Sequence, residues 1–312
     1  MAARADRASP PLIGVIGPTA SGKTELALAL GQRLPVEIIA ADSRQVYRGM
    51  DVGTAKPDAA ARASVPHHLL DVVDPDEPFT VAQWVERARA IVPEIAARGR
   101  VAMVVGGTGL YVAALVDGHD YASQPWSPEI RQRLTDELAT DGLEALAARL
   151  RAADPGATVD LRNPRRVLRA LERIAGGGAA PDAVPYAGRV VMLALDRPRD
   201  VLYRRIDERA RWMFIAGGLL DEVRRLQDAG YAADLRPMTG HGYREAMAHL
   251  AGQLSLERAI EVTARHTRNY AKRQLSWFRR DSRIVWLRAG DGPADDPSLV
   301  DQADRLIRAA LS

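Results

Sequence analysis

The chain has 312 residues, enough for one large domain or one domain carrying an insertion, and its 47% apolar and 27% charged content is that of a globular protein. It has no cysteine, which excludes disulfides, cysteine-ligated zinc and thiol chemistry, and no apolar run approaches the roughly 18 residues that span a bilayer. The net charge is only +3, but basic residues crowd into 162–173 and 265–283. The second stretch interleaves Tyr270, Trp277 and Phe278, a mixture suited to a polyanion with exposed bases.

Residues 1–10 lack an apolar signal core and read as a loose tail, which makes the cytoplasm the expected location. The apolar run 12–16 predicts a buried strand. Directly after it, Gly17-Pro18-Thr19-Ala20-Ser21-Gly22-Lys23-Thr24 fits the phosphate-binding pattern G-x-x-x-x-G-K-[ST] without a mismatch, and a helical pattern with Leu26, Leu28 and Leu30 follows. Residues 36–40 predict a second strand ending at Asp42-Ser43. Residues 79–97 read as a helix and 101–105 as a third strand, closed by Gly106-Gly107-Thr108-Gly109, with a further helix over 110–115. From 117 to 189 the pattern is helical, without a convincing strand, and its last helix runs into Gly176-Gly177-Gly178. Strands return at 190–195 and 284–287, residues 200–229 read as two helices broken near Gly217-Gly218, and 254–280 is largely helical. Short apolar runs alternating with helices predict a parallel α/β sheet covered on both faces. The expected division is a tail at 1–10, a core of 11–118 and 190–312, and a helical insertion at 119–189.

The glycine loop is where an anion meets backbone N–H groups at the positive end of a helix dipole. Lys23 can reach a terminal phosphate and the Thr24 hydroxyl can ligate Mg2+. Lysine is otherwise scarce, with only Lys23, Lys56 and Lys272 against forty arginines, which suggests that a compact point charge is wanted here. In doubly wound sheets the ligand lies beyond the carboxyl ends of the strands, so the phosphate loop, Asp42-Ser43-Arg44-Gln45 and Gly106-Gly107-Thr108 should meet there. Asp42 then faces whatever sits on the phosphates, unless it serves only as a turn or cap residue. The third strand ends in Gly-Gly where a motor ATPase would carry its magnesium-binding aspartate, which argues against an ATP-hydrolysing machine. His67-His68 is expected to be structural, because adjacent side chains point in different directions and no second histidine cluster supports a metal.

These blocks together resemble the tRNA dimethylallyltransferases. The resemblance is carried by the phosphate loop, by Asp42-Ser43-Arg44-Gln45-Val46-Tyr47 running into Met50-Asp51-Val52-Gly53-Thr54-Ala55-Lys56-Pro57, and by Pro66-His67-His68-Leu69-Leu70-Asp71. Gly106-Gly107-Thr108-Gly109-Leu110-Tyr111, Pro164-Arg165-Arg166, Gly242-Tyr243-Arg244-Glu245 and Thr267-Arg268-Asn269-Tyr270-Ala271-Lys272-Arg273-Gln274 continue it in order. One departure is Gly240-His241, where the family more often has an apolar pair. The resemblance implies a P-loop NTPase-like (nucleotide-kinase-like) parallel core with an inserted all-helical tRNA-binding domain. It implies transfer of a dimethylallyl group from its diphosphate to the exocyclic amine of the adenosine 3′-adjacent to the anticodon, in tRNAs reading codons that begin with U. Asp42 would be the base, and Thr19, Lys23 and Arg209 would stabilise the leaving diphosphate, which lies in the loop from Gly17 through Pro18, Thr19, Ala20, Ser21, Gly22 and Lys23 to Thr24 with Mg2+. Asp42, Ser43, Arg44, Gln45, Thr108, Arg131, Arg165, Arg166, Val167, Leu168 and Arg169 would contact the tRNA anticodon stem-loop. No membrane partner is expected, and a monomer is the default. An ATP-dependent nucleoside or small-metabolite kinase would use the same loop, but would not need the insertion or the basic-aromatic block at 265–280.

Overall fold

The computed structural model describes residues 9–118, 127–177 and 183–312, so most of the expected tail and the expected start of the insertion lie outside the described residues. The chain divides into two compact units, one running to Val116 and resuming at Tyr186, the other formed by Asp117–Pro185.

The larger unit is built on a six-stranded sheet of order β3-β2-β4-β1-β5-β6 in which every pairing is parallel. Its central strands, β1 (Leu12–Ile16) and β2 (Val36–Ala40), are buried at every residue, and β4 (Val101–Gly106) and β5 (Val190–Asp196) nearly so. Only crossover helices on both faces can bury a parallel sheet in this way. Those connections include α1 (Lys23–Gly31), α3 (Val81–Ala97), α4 (Gly109–Val116), α7 (Arg199–Ile215), α8 (Leu219–Asp228) and α10 (Leu256–Phe278). Ile13, Val15, Leu26, Leu30, Met103, Leu193 and Leu287 join one core on the face covered by α1 and α11 (Pro297–Leu311).

Four elements were not anticipated: α2 (Ala59–Ser64), β3 (His67–His68), α9 (Tyr243–Leu250) and α11. β3 pairs with β2 through Ile38↔His67 and Ile39↔His68 and is too short to leave a periodic signal. α9 starts at Gly242 with φ of 94°, without the side-chain cap that marks most helix starts. The helix expected from residue 79 begins instead at Val81, because Thr80 caps it: its hydroxyl accepts from the Gln83 N–H while the Gln83 side chain accepts from the Thr80 N–H. β6 (Ile284–Arg288) closes the far edge.

The smaller unit pairs α5 (Pro128–Ala153) with α6 (Pro164–Ala175). Ser127 and Asn163 cap them and proline follows each cap, a combination that fixes the helix starts. Gly142 breaks α5 with φ of 80°, and Leu134, Leu146, Leu150, Val167, Leu168 and Leu171 fill the space between the helices.

Candidate active site

The phosphate loop leaves β1 at Ile16 and enters α1 at Lys23. Gly22 carries φ of 97°, and a Cβ there would lie 2.5 Å from that of Ala294, so the loop closes only with glycine. Three arginines fix it from behind. Arg197, buried at 7% exposure, donates to the Ser21 carbonyl at 2.6 Å, and Arg205 donates to the Ala20 carbonyl at 3.0 Å. One turn further along α7, Arg209 donates to the Thr19 hydroxyl at 2.6 Å. Since that hydroxyl oxygen accepts from a cation, its own proton is directed away from Arg209, toward the cavity that both residues line. Part of the expected backbone cradle is already committed: the Thr19 N–H donates to Gln274 Oε1 at 2.9 Å and the Ser21 N–H to Pro18 O at 3.3 Å. The Ser21 hydroxyl is buried without a hydrogen-bond partner. The N–H groups opening α1, at Lys23 and Thr24, have no carbonyl of their own turn to bond and remain for an anion.

Lys23 sits between Asp42 and Arg209 with its ammonium 3.3 Å from the Pro18 carbonyl. Burial pulls its pKa down from 10.5 to about 8, the Asp42 charge opposes that shift and Arg209 adds to it. An anion bound between them would reverse the balance. Asp42 lies two residues beyond the end of β2, and its Oδ1 accepts the Arg44 N–H at 2.9 Å. That bond is the turn role expected of aspartate, and it occupies one carboxylate oxygen only, leaving Oδ2 for a substrate proton.

The three loops do meet. Thr108 Oγ1 accepts the Ser43 N–H at 3.0 Å, and the Thr108 N–H donates to Ala41 O at 3.0 Å. Gln274, reaching in from α10 at 6% exposure, accepts from Thr19 and donates to Gly107 O at 2.8 Å, tying the phosphate loop to the end of β4. Tyr270, one turn earlier on α10, hydrogen-bonds Thr108, and burial pushes its hydroxyl up to about 12. Arg44 donates to the Arg236 carbonyl, while Gln45 donates to Thr54 O and Ala55 O at 3.1 Å each, so both also shape the loop they stand on. That loop is anchored by Glu222, a carboxylate at 1% exposure that accepts the N–H groups of Asp51, Val52 and Gly53 and the Tyr243 hydroxyl.

Two spaces result. An inner cavity of about 60 Å³ is lined by Thr19, Lys23, Thr24, Asp42, His67 and Arg209, and an outer cleft of about 510 Å³ runs over Lys23 and Thr24 past Arg205 to Trp212. Among the described residues no group of three or more acidic, histidine or cysteine side chains could hold a metal by itself. The oxygen donors lining the inner cavity include the Thr19 and Thr24 hydroxyls and the Asp42 carboxylate. That set suits Mg2+, which takes one or two protein ligands and completes its shell with substrate phosphate and water.

Sequence reasoning passed over Gln274, Arg197, Arg205 and His67 as site residues. Gln274 stood in a quoted motif, but nothing in its type signals a bridge between two loops 255 and 167 positions away in sequence. Of the two adjacent histidines, His68 is structural as expected, bonding Glu37 at 2.7 Å within a buried pair that also takes Arg98. His67 instead lines the inner cavity, with its Nδ1 proton donated to Val65 O at 2.7 Å. His241, at the departure from the family pattern, packs against the rings of His266 at 5.6 Å and Tyr270 at 6.0 Å, and burial holds it near 4, so it fills an apolar role as a neutral ring.

The remaining candidates lie in the smaller unit. Arg165 and Arg166 are exposed on α6. Arg131 and Arg169 both pair with the buried Glu172, at 2.9 and 3.1 Å. Val167 and Leu168 are corrected here: at 0% and 6% exposure they form the core between α5 and α6, and buried apolar side chains cannot meet an RNA surface.

A parallel sheet carrying a phosphate loop after β1, with no acidic residue at the end of β4 and a carboxylate after β2, defines a P-loop NTPase-like group transferase. The family model described as IPP transferase matches residues 45–281, and one described as isopentenyl transferase matches residues 11–71. The tRNA dimethylallyltransferase of Anaeromyxobacter dehalogenans strain 2CP-C is 50% identical over 296 residues, covering 92% of this chain and 96% of that protein, and that of Syntrophobacter fumaroxidans is 46% identical over 90% of this chain and 84% of the other. Among solved structures, the full-length tRNA isopentenylpyrophosphate transferase from Bacillus halodurans is similar at a TM-score of 0.73 and 39% identity, covering 96% of each chain. A eukaryotic dimethylallyltransferase captured acting on tRNA is similar at a TM-score of 0.80 and 25% identity, over 96% of this chain and 80% of that one. The chain belongs to the IPP transferase family and is a prenyltransferase; a kinase is not favoured.

Proposed function

We propose that this chain transfers a dimethylallyl group from dimethylallyl diphosphate to the exocyclic amine of the adenosine 3′-adjacent to the anticodon, in tRNAs reading codons that begin with U, releasing diphosphate. The observation that carries the reading is one cavity lined both by phosphate-binding groups and by a carboxylate with a free oxygen: Thr19, Lys23, Thr24 and Arg209 against Asp42.

The diphosphate lies over the start of α1. Its developing negative charge, as the carbon–oxygen bond breaks, meets the Lys23 and Thr24 N–H groups, the Lys23 ammonium and the Thr19 proton. Arg209, donating into Thr19, makes that hydroxyl a stronger donor toward the leaving oxygen. The Thr24 hydroxyl would hold Mg2+, which would supply further charge neutralisation for the leaving group. On the other side the adenine amine attacks the allylic carbon. Its lone pair is delocalised into the ring, so Asp42 Oδ2 takes the amine proton as the carbon–nitrogen bond forms. Ser43, Arg44 and Gln45 stand beside Asp42 and border the extruded nucleotide, a flip that is cheaper from a single-stranded loop than from a duplex. Arg165 and Arg166, the exposed pair on α6, grip RNA phosphates, and Arg131 and Arg169 share that work only after loosening from Glu172. No described helix is long and apolar enough to cross a membrane, and a cytoplasmic reaction is the reading that goes with a tRNA substrate.

The test is incubation with radiolabelled dimethylallyl diphosphate and unmodified tRNA, in parallel with γ-labelled ATP. Label passing from the prenyl donor to the tRNA is expected. Label passing from ATP to a small acceptor, with none from the prenyl donor, would overturn the reading.

A further inference from the structure

A second cleft, of about 760 Å³, opens at the same carboxyl edge of the sheet, beyond β5 and β6. Its floor is the register pair Asp196↔Arg288, the last residues of those strands, and its walls are the start of α7 and the C-terminal turns of α10. α10 separates it from the reaction cavity: Gln274 holds the phosphate loop on one face, while Lys272, Ser276 and Arg279 line the cleft on another.

Charge here is unbalanced. Arg199, Lys272, Arg279 and Arg288 line the cleft against a single carboxylate, Asp196, which pairs with Arg279 at 3.6 Å. Among the described residues Arg199, Lys272 and Arg288 have no ion-pair partner. Three cations converge on one ring, with Arg199 at 5.1 Å and Lys272 at 5.9 Å from the centre of Tyr203, and Arg268, already paired with Asp207, also at 5.9 Å. A phenol quadrupole offsets a small part of that mutual repulsion, which an anion would relieve. The first-turn N–H groups of α7, a helix of 17 residues, have no side-chain cap and open beside Arg199. Lys272 is one of three lysines in the chain; the other two are committed, Lys23 to the phosphate loop and the buried Lys56 to ion pairs with Asp51 and Asp71.

We propose that this cleft is an RNA-backbone site, holding a phosphodiester stretch of the RNA substrate while a nucleotide elsewhere on the same molecule occupies the reaction cavity. The inference rests on the tRNA reading above. A cleft of this size, spread over two helices and two strand ends with an aromatic face among the cations, suits several linked phosphates better than one small anion. Its residues all belong to the larger unit and the exposed arginines of α6 to the smaller, so the two sets contribute separate terms to the salt dependence.

The experiment measures tRNA affinity against salt for the full chain, for Lys272→Ala with Arg288→Ala, and for Lys272→Arg. Each lost phosphate contact removes roughly 0.7–0.9 from the slope of log K against log salt, so the double variant should lose between about 1.4 and 1.8. Its affinity near 0.1 M salt should fall about tenfold or more, and Lys272→Arg should keep the slope. Both residues are exposed and lack ion pairs, so their loss is not expected to unfold the chain, and an unchanged melting temperature checks this. Either single alanine variant gives an independent reading, about half the change. A slope unaltered in all of them overturns the inference. Failure of the unmodified chain to prenylate tRNA would instead sink the functional reading, and the two failures are read in separate assays.

Discussion

The pKa of Lys23 offers the sharpest test of the phosphate site. With a value of about 8 in the free protein, Lys23 is about 90% charged at pH 7 and about 10% charged at pH 9. In the proposed site diphosphate binds the ammonium form, and the bound anion raises the lysine back toward its ordinary value, so affinity should fall about tenfold between those pH values. Prenyl diphosphate completes its own ionisation near neutrality, so it adds little across this range. Calorimetry in two buffers of different ionisation enthalpy should register uptake of about half a proton per dimethylallyl diphosphate at pH 8. Lys23→Arg, charged throughout, should flatten the profile whatever it does to absolute affinity. Stability runs the other way: because the folded value lies below 10.5, the unfolded chain binds more protons between about pH 8 and 10.5, and the free protein should gain stability as pH rises through that window. Affinity independent of pH from 7 to 9, with no proton uptake, would refute the argument that burial beside Arg209 sets this lysine.

Asp42→Asn keeps an acceptor for the Arg44 N–H but removes the base; turnover in the labelled-donor assay should fall about 10²–10⁴-fold while donor affinity stays within about twofold, and near-normal turnover would exclude Asp42 as the base. Glu222→Ala strips the partner from three backbone N–H groups and the Tyr243 hydroxyl, and should cost about 3 kcal/mol or more in urea unfolding. A loss under about 1 kcal/mol would mean that water replaces the carboxylate freely. Arg165→Glu with Arg166→Glu should weaken tRNA binding and leave dimethylallyl diphosphate binding in place; equal losses of both would argue against an RNA-gripping α6.

What the sequence disclosed follows from how each feature is encoded. The core strands were legible because a strand buried on both faces must be continuously apolar, and the phosphate loop because its turn dictates glycine at fixed positions. Both are local demands. Gln274, Arg197 and Arg205 were not legible as site residues, because they act through backbone carbonyls and N–H groups, which place no constraint on the sequence they touch. Arg209 was reached only through family resemblance, although its bond to Thr19 is a direct side-chain contact. Val167 and Leu168 were misassigned because a basic block was read as one surface, whereas on a helix neighbours in sequence lie about 100° apart, placing Arg166 outside and Val167 inside.

The end of β4 explains why this sheet does transfer chemistry. A Cβ on Gly106 would fall 2.1 Å from the Ala41 carbonyl, and one on Gly107 would fall 2.2 Å from the Gln274 amide. Backbone contact excludes an aspartate at Gly106, and at Gly107 a side chain would displace the Gln274 amide, so the position that would hold a metal-binding carboxylate in a hydrolysing motor is already occupied. The room released there admits Gln274, whose two bonds lock the phosphate loop to β4, and the carboxylate stands one strand over, after β2. From that place Asp42 lines one cavity with Thr19, Lys23 and Arg209, and in the proposed reaction it would serve the incoming nucleophile. The cations opposite come from α7, with Arg205 and Arg209 one turn apart bearing on successive residues of the loop, Ala20 and Thr19. Charge for the leaving group on one side and a proton acceptor on the other is the division of labour that group transfer needs, and the close approaches at Gly106 and Gly107 leave room for it.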